Sequence, residues 1–591
     1  MAASGKAFDF KLFKRLLAHT NKYRGTFYFV GFAAIAMAGL AVLSPAILEM
    51  AIDDAILPRD WDGLLFYVLI MFGILIVEVI FQFSFIFYAN WLGQHVIKDI
   101  RVKLFKLMIS FKMKYFDKSA VGRLTTRAVN DIETISSIFS QGLFMIISDL
   151  LKMFVIAGFM LFKSWELALI VFCILPFILY ATRVFQRAMK SAFEEVRAQV
   201  ANLNSFVQER ITGMKIVQVF AQEDVEYKAF QEINNKHKKA WIKTVWYNSI
   251  FFPIAEMSGS VAIGLVVWYG GLNAVSEQVA GAGDITLGLI TIFIQLTQML
   301  FRPLRQIADK FNTLQMGMVA ANRVFEILDT QSHIVNDGSI EMKETKGLIS
   351  FRDVHFGYLE NEEVIKGISF TVNPGETIAL VGATGAGKST IINLLSRFYE
   401  INSGTISVDD VSIKDYELSS LRDHIAVVLQ DVFLFADTIL NNITLGDTSI
   451  TEETVIMAAK EIGVHNFITS LPGGYHYNVK ERGSMLSSGQ RQLIAFLRAY
   501  VSQPSILVLD EATSSIDSYS EEMIQNATDK ITKGRTSIVI AHRLATIKKA
   551  DMILVMDEGK IVEKGTHEQL LKHDGFYKNL YEVQFMAEEA I

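Results

Sequence analysis

Cysteine is almost missing from this chain: its 591 residues contain one, Cys173. An internal disulfide and a cysteine-rich metal site are therefore excluded. Proline is scarce as well, with eight residues. Pro45, Pro176, Pro253 and Pro303 lie in or at the ends of apolar segments. Membrane helices tolerate proline there, because neighbouring helices satisfy the freed backbone groups. Charge is the third shortage. Asp, Glu, Lys and Arg make up 20% of the chain, while hydrophobic residues make up 51%. Soluble domains carry about a quarter charged residues. The composition excludes a disordered, fibrous or coiled-coil chain. A net charge of −6 gives no reason to expect a nucleic-acid partner.

What is present divides into two unlike halves. Up to residue 325, apolar runs alternate with charged ones, and six are long enough to cross a bilayer. They cover 26–50, 64–91, 137–162, 166–186, 247–270 and 285–308. The first run is too long for a signal-peptide core and lacks a small-residue cleavage site, so it reads as a retained span. Basic residues set the orientation. Lys6, Lys11, Lys14, Arg15, Lys22 and Arg24 precede span one, and Lys98, Arg101, Lys103, Lys106, Lys112 and Lys114 follow span two. Loop 51–63 instead holds Asp53, Asp54, Asp60 and Asp62 against Arg59. Both termini are expected in the cytoplasm, with the protein in the cell membrane. Residues 8–19 place Leu12, Phe13, Leu16 and Leu17 on one helical face, which suits a helix on the inner membrane surface. Two long cytoplasmic connections, rich in helix formers, predict helical arms reaching about 35–45 Å beyond the membrane at 1.5 Å per residue. Their tips break near Phe116–Gly122 and at Gly213, and docking onto another domain is expected.

Residues 326–347 are polar and read as a linker between a membrane domain, 1–325, and a soluble α/β domain, 348–591. The chemistry lies in that second domain. The strand pattern TIALVG leads into Gly382–Ser389, GATGAGKS, followed by a helical pattern. Gly382, Thr384, Gly385, Ala386, Gly387, Lys388, Ser389 and Thr390 then form a phosphate cradle. The glycines let backbone N–H groups curl around oxygens, and the helix N-terminus favours anions. Lys388 reaches the β- and γ-phosphates and Ser389 offers a hydroxyl to Mg²⁺. The apolar strand SILVLDE ends in Asp510 and Glu511. Asp510 suits the Mg²⁺ shell, and Glu511 is placed to orient or deprotonate water. A second strand, TSIVIAH, ends in His542, which suits contact with the γ-phosphate. Between them LSSGQ opens a helix, with Ser487 and Gly489 at its anion-favouring end.

Taken together these residues resemble the ATP-binding cassette family, over the whole chain. The match is to exporters with six membrane helices and a fused C-terminal nucleotide domain, such as lipid A flippases and multidrug half-transporters. The resemblance implies a polytopic α-helical membrane domain with long cytoplasmic extensions joined to an α/β P-loop domain. It implies ATP and Mg²⁺ as cofactors, and an ATPase coupled to export of a hydrophobic or amphipathic compound. Tyr358 in FGY fits the aromatic that stacks on adenine. Gln430 in VVLQD fits the glutamine that joins the Mg²⁺ site, with Ser389 and Asp510, to the membrane domain. Lys388, Glu511 and His542 carry the catalytic roles. Lys480–Gly483 fits the segment that touches the membrane-domain loops, and Asp517 the loop that crosses to a partner. Ser487, Gly489 and Gln490 hold the ATP of a second chain, so a dimer of half-transporters is implied. A homodimer is expected, with a heterodimer as the alternative. Two departures stand out: Ser488 replaces the usual glycine, and Leu493 and Leu497 replace Arg and Ala. An ATP-gated channel or regulatory membrane protein of the same fold is the rival reading, and Glu511 with His542 argues against it.

Charges inside membrane spans usually face a cavity or a partner. Here they are Glu78, Asp149, Lys152 and Glu256. Asp149 and Lys152, three apart, are expected to pair. Glu78 and Glu256, with aromatics such as Phe81, Phe83, Phe85 and Phe87, predict an acidic, aromatic cavity suited to a cationic amphiphile.

Overall fold

The computed structural model describes residues 10–280, 285–334, 336–359, 362–510, 518–541 and 543–584. The chain packs as two units: Met1–Ile109 with Val121–Gln331, and Ser110–Ala120 with Ser332–Ile591.

The first unit is helical. Five of its helices, Phe10–Ile56, Trp61–Met108, Val121–Lys163, Trp165–Thr212 and Glu223–Asn273, are long and apolar enough to cross a membrane. The sixth expected span falls on a shorter apolar stretch, Leu287–Pro303. The elements used below are α1 (Phe10–Ala18), α2 (Arg24–Met50), α3 (Trp61–Met108), α4 (Phe144–Lys163), α5 (Trp165–Phe172), α6 (Leu175–Thr212), α7 (Glu223–Ala280) and α8 (Leu287–Leu328). Helix α3 has 48 residues. At 1.5 Å per residue it is about 70 Å long, more than twice the hydrocarbon thickness of about 30 Å, so the predicted long extensions are real helix. Helix α2 buries Val30, Ala33, Ala34, Met37, Ala38 and Ala41 at helical spacing, and its small residues let neighbours approach.

Span four lies within Trp165–Thr212 as expected, and is interrupted once: α5 ends at Phe172 and α6 begins at Leu175. Pro176 has no N–H to return to the Phe172 carbonyl, so the continuous ladder stops there. The amphipathic start, α1, does not offer its whole apolar face to lipid. Leu16 and Phe13 are buried by protein. Arg15 holds α1 to the end of α8 through paired hydrogen bonds of 2.6 Å to both Asp329 carboxylate oxygens, and its guanidinium lies 4.2 Å from the Phe325 ring centre. Asp149 on α4 pairs with Lys310 on α8, not with Lys152. A partner on the adjoining helix neutralises the carboxylate where lipid cannot.

The second unit contains two sheets. The first is antiparallel, in the order β2-β1-β4-β5, from β1 (Ile349–Phe356), β2 (Ile365–Val372), β4 (Ser403–Val408) and β5 (Val411–Ser412). The second runs β10-β9-β3-β8-β7-β6, from β3 (Thr377–Gly382), β6 (Ile425–Val428), β7 (Ile506–Asp510), β8 (Thr536–Ile540), β9 (Met552–Asp557) and β10 (Lys560–Gly565). Its strands are parallel except the edge strand β10. The parallel strands are buried on both faces, and the period of two sorts their side chains. Ile378, Leu380, Ile506, Val508, Ile538 and Ile540 enter one core with the antiparallel sheet. Ala379, Val381, Leu507, Leu509 and Val539 enter another. That second core also takes Leu493 and Leu497 of α10 (Ser488–Val501). The leucines that replace the family's Arg and Ala are thus fully buried apolar residues, one helical turn apart, whereas Ser488 is exposed. The tip Ser110–Ala120 folds with this unit. Its described contacts run to Ser332–Ile334 and Tyr399.

Candidate nucleotide-binding site

Register brings the phosphate loop and the acidic strand end together. Leu380 of β3 pairs with Ile540 of β8, and Ile540 pairs with Asp510 of β7. The carboxyl ends of three parallel strands therefore lie side by side. Gln430 follows the next strand, β6, and is exposed. A crevice outside the carboxyl ends of parallel strands is where open α/β sheets bind ligands.

The loop after β3 needs its glycines. A side chain at Gly382 would put its Cβ 2.1 Å from the Met556 carbonyl oxygen. Gly387 has φ +99°, and its Cβ would lie 2.8 Å from Ile365 Cδ1. Between them Thr384 and Gly385 are exposed, while Ala386, Gly387 and Lys388 are buried. Helix α9 (Lys388–Leu395) starts at the lysine. Lys388 Nζ donates to the carbonyl oxygens of Gly382, at 2.7 Å, and Ala383, at 2.9 Å. Burial pushes its pKa below the usual lysine value, and the neighbouring Asp510 carboxylate opposes that. An ammonium held over a loop of backbone N–H groups is a charge waiting for an anion.

Ser389 Oγ donates to Asp510 Oδ2 at 3.2 Å, and Asp510 is 8% exposed. A hydroxyl beside a buried carboxylate is an all-oxygen donor set, of the kind hard cations such as Mg²⁺ accept. The next acid along the chain, Glu511, lies outside the described residues, as do Asp517 and His542.

Tyr358 follows β1. Its hydroxyl lies 3.3 Å from Thr390 Oγ1 and accepts from Asn393 Nδ2 at 3.3 Å. Both partners sit on α9, so the aromatic is fixed relative to the phosphate loop. Asn393 was not anticipated. Its signal was available, a polar residue among the apolar positions of STIINLLSRF. Asn442 was missed as well. It is fully buried, and it accepts from Phe435 N at 2.8 Å and donates to Phe435 O and Thr438 O at 3.0 Å. It thereby fastens the segment that follows Gln430.

Ser487 caps α10. Its Oγ accepts from Gln490 N at 3.2 Å, and Gln490 Oε1 accepts from Ser487 N at 3.0 Å, a reciprocal capping box. Gly489 is buried in the first turn, whereas Ser487 and Ser488 face outward.

A helical unit with membrane-spanning segments and a P-loop unit with this site define a multi-pass membrane protein with an ATP-binding domain. Residues 27–304 match the ABC transporter transmembrane region, and residues 365–514 match the ABC transporter domain. The chain is 33% identical over 580 residues to an ATP-dependent lipid A-core flippase of Syntrophus aciditrophicus, covering 98% of this chain and 95% of that one. It is 36% identical over 584 residues to the "Uncharacterized ABC transporter ATP-binding protein YknV" of Bacillus subtilis, covering 98% and 96%. It is 35% identical over 523 residues to the "Probable multidrug resistance ABC transporter ATP-binding/permease protein YheH" of the same species, covering 88% and 77%. This chain belongs to the ABC transporter family. It is an ATP-driven exporter, an ATPase coupled to transmembrane transport.

Proposed function

We propose that two copies of this chain pair head to tail in the cell membrane, with both termini in the cytoplasm, and share two ATP sites. Each ATP lies between the Lys388 loop of one copy and Ser487, Gly489 and Gln490 of the other. The observation that carries this reading is the Ser389–Asp510 contact at 3.2 Å beside the buried Lys388. Tyr358 stacks on adenine, and the loop 382–390 wraps the phosphates with backbone N–H groups. Lys388 exchanges two carbonyl oxygens for phosphate oxygens. Ser389, Asp510 and Gln430 would hold Mg²⁺, which neutralises phosphate charge when bound. Glu511 takes the proton of the attacking water, and His542 steadies Glu511 against the γ-phosphate. ATP binds the closed pair more tightly than the open one, which is what any ligand-driven switch requires. Hydrolysis removes that preference and resets the pair. The outward-facing Ser487 and Ser488 suit a site completed by a second chain. Residues 1–325, 326–347 and 348–591 act as membrane domain, linker and motor.

The cargo we propose is a hydrophobic or amphipathic compound, drug-like or lipid. The flippase relative points to lipid and the multidrug relative to drugs. Glu78, half-buried on α3 within an apolar, aromatic stretch, favours a hydrophobic cation. The test uses the purified chain in vesicles. Tetraphenylphosphonium should raise ATP turnover, and Glu78→Gln should blunt that rise. Stimulation by anionic lipid alone, unchanged in Glu78→Gln, would move the cargo to the lipid class.

A further inference from the structure

We infer that Tyr399 is a positioning residue that links the adenine-side aromatic Tyr358 to the tip of the first helical arm. The inference rests on the proposed role of Tyr358 and goes beyond it, because it assigns the route by which occupancy of that site is felt at the tip.

The tip Ser110–Ala120 is held in the second unit at two places. At its start it forms an antiparallel bridge with the linker, between Phe111 and His333. Lys112 N donates to Ser332 O at 2.8 Å, and Ile334 N donates to Ser110 O at 3.3 Å. Phe111 is 3% exposed and its ring meets His333 at 5.6 Å. This anchor fixes one end. Near the other end, Tyr399 Oη donates to Asp117 Oδ2 at 2.6 Å. A hydrogen bond to a carboxylate is of the stronger kind, and this one is short. Burial, and then Asp117, push the phenol above its ordinary pKa, so it remains a donor through the physiological range.

The ring of Tyr399 serves a second partner. It meets the Tyr358 ring edge-on, at 5.0 Å and 88°. Phe356 closes the cluster, 4.9 Å from Tyr358 and 5.8 Å from Tyr399. Tyr358 in turn bonds to Thr390 and Asn393 on the helix behind the phosphate loop. One side chain thus touches the tip through its oxygen and the adenine platform through its ring. A base stacked on Tyr358 must fit the position Tyr399 gives that ring, and a displaced tip must pull on the same side chain. Chains of packed, hydrogen-bonded side chains of this kind can carry energetic coupling between sites.

The two functions of Tyr399 separate by mutation. Tyr399→Ala removes the ring and should raise the KM for ATP about three- to tenfold, the range an edge-to-face aromatic pair supports, with a smaller change in kcat. Tyr399→Phe keeps the ring and removes the hydroxyl, so its KM should stay within about twofold of the parent. The tip is read directly with Lys114→Cys in a Cys173→Ser background. The non-hydrolysable analogue AMP-PNP should change the maleimide labelling rate about fivefold, a common size for coupling between sites. Tyr399→Phe and Asp117→Ala should abolish that change, and Asp117→Asn, which keeps an acceptor oxygen, should restore most of it. Tyr358→Ala is measured alongside. If it leaves the KM for ATP unchanged, the adenine role of Tyr358 fails and the link fails with it. If it raises the KM while Tyr399→Ala does not, the link alone is wrong. Labelling that ignores AMP-PNP in the parent, or responds equally in Tyr399→Phe, also overturns it.

Discussion

Asn442 offers a direct measure of how firmly the segment after Gln430 is held. Its side chain has no exposure and makes three hydrogen bonds, to Phe435 N, Phe435 O and Thr438 O. Each intramolecular hydrogen bond is worth about 0.5–1.5 kcal/mol net. Phe435 itself is 58% exposed, so water can replace part of what is lost. Asn442→Ala should therefore cost about 2–3 kcal/mol, concentrated on this segment. At 1.4 kcal/mol per factor of ten, that equals about a 30- to 150-fold faster local opening. Amide hydrogen exchange in nucleotide-free protein reads the effect. Amides of 429–438 should exchange faster by that factor, while those of β7 stay unchanged. Asn442→Asp tests the chemistry. It keeps the acceptor for Phe435 N but turns a carboxylate oxygen toward two carbonyl oxygens. At neutral pH it should loosen the segment at least as much as alanine. Acidification protonates the carboxyl, restores a donor and should slow exchange relative to Asn442→Ala. Unchanged exchange over 429–438 in Asn442→Ala would refute the assignment of Asn442 as the fastener.

Glu511→Gln should keep ATP binding and lower turnover by about 100-fold or more, because the cradle survives and a proton acceptor does not; an unaffected rate in the purified variant would dismiss Glu511 as the base. Expressed alone, the chain should show the mass of a dimer by native mass spectrometry and hydrolyse ATP; inactive monomers rescued only by another half-transporter would replace the homodimer with a heterodimer. Lys388 has a pKa lowered from 10.5 by burial, so the free protein loses this proton earlier than the ATP complex, whose phosphates favour the charged form. ATP affinity should fall as pH rises through that lowered value, with proton uptake on binding measured by calorimetry in buffers of different ionisation enthalpy; affinity that is flat with pH in Lys388-containing protein would count against an ammonium–phosphate contact.

The local parts of this protein were the ones its sequence made visible. The phosphate loop is eight consecutive residues whose types are dictated by backbone geometry, and Gly382 and Gly387 meet neighbours that no side chain would clear. Asp510 ends a strand whose five residues are all buried, a pattern that an apolar run displays directly. The Leu493 and Leu497 departures became intelligible only as core positions. Partners distant in the chain were hidden. Asp149 has a basic residue three positions away, yet its ion pair is with Lys310, 161 residues on. Tyr399 and Asp117 are 282 residues apart, and nothing local to either names the other. The amphipathic pattern of α1 was read correctly as a helix with an apolar face. Whether protein or lipid covers that face depends on α8, which its own residues do not encode. Glu511 and His542 stand on the sequence argument, since they fall outside the described residues.

The broken fourth span has a practical consequence. Its gap holds Cys173, the sole thiol of the chain, and that thiol is exposed. The unmodified protein therefore arrives with one thiol per copy, seated where a helix has lost its regular ladder. A nitroxide or fluorophore placed there needs no prior removal of competing thiols. In an assembly of two copies the labels form a single symmetric pair, so one interspin distance, followed through ATP addition and exhaustion, would chart the movement of the membrane-spanning half during the cycle.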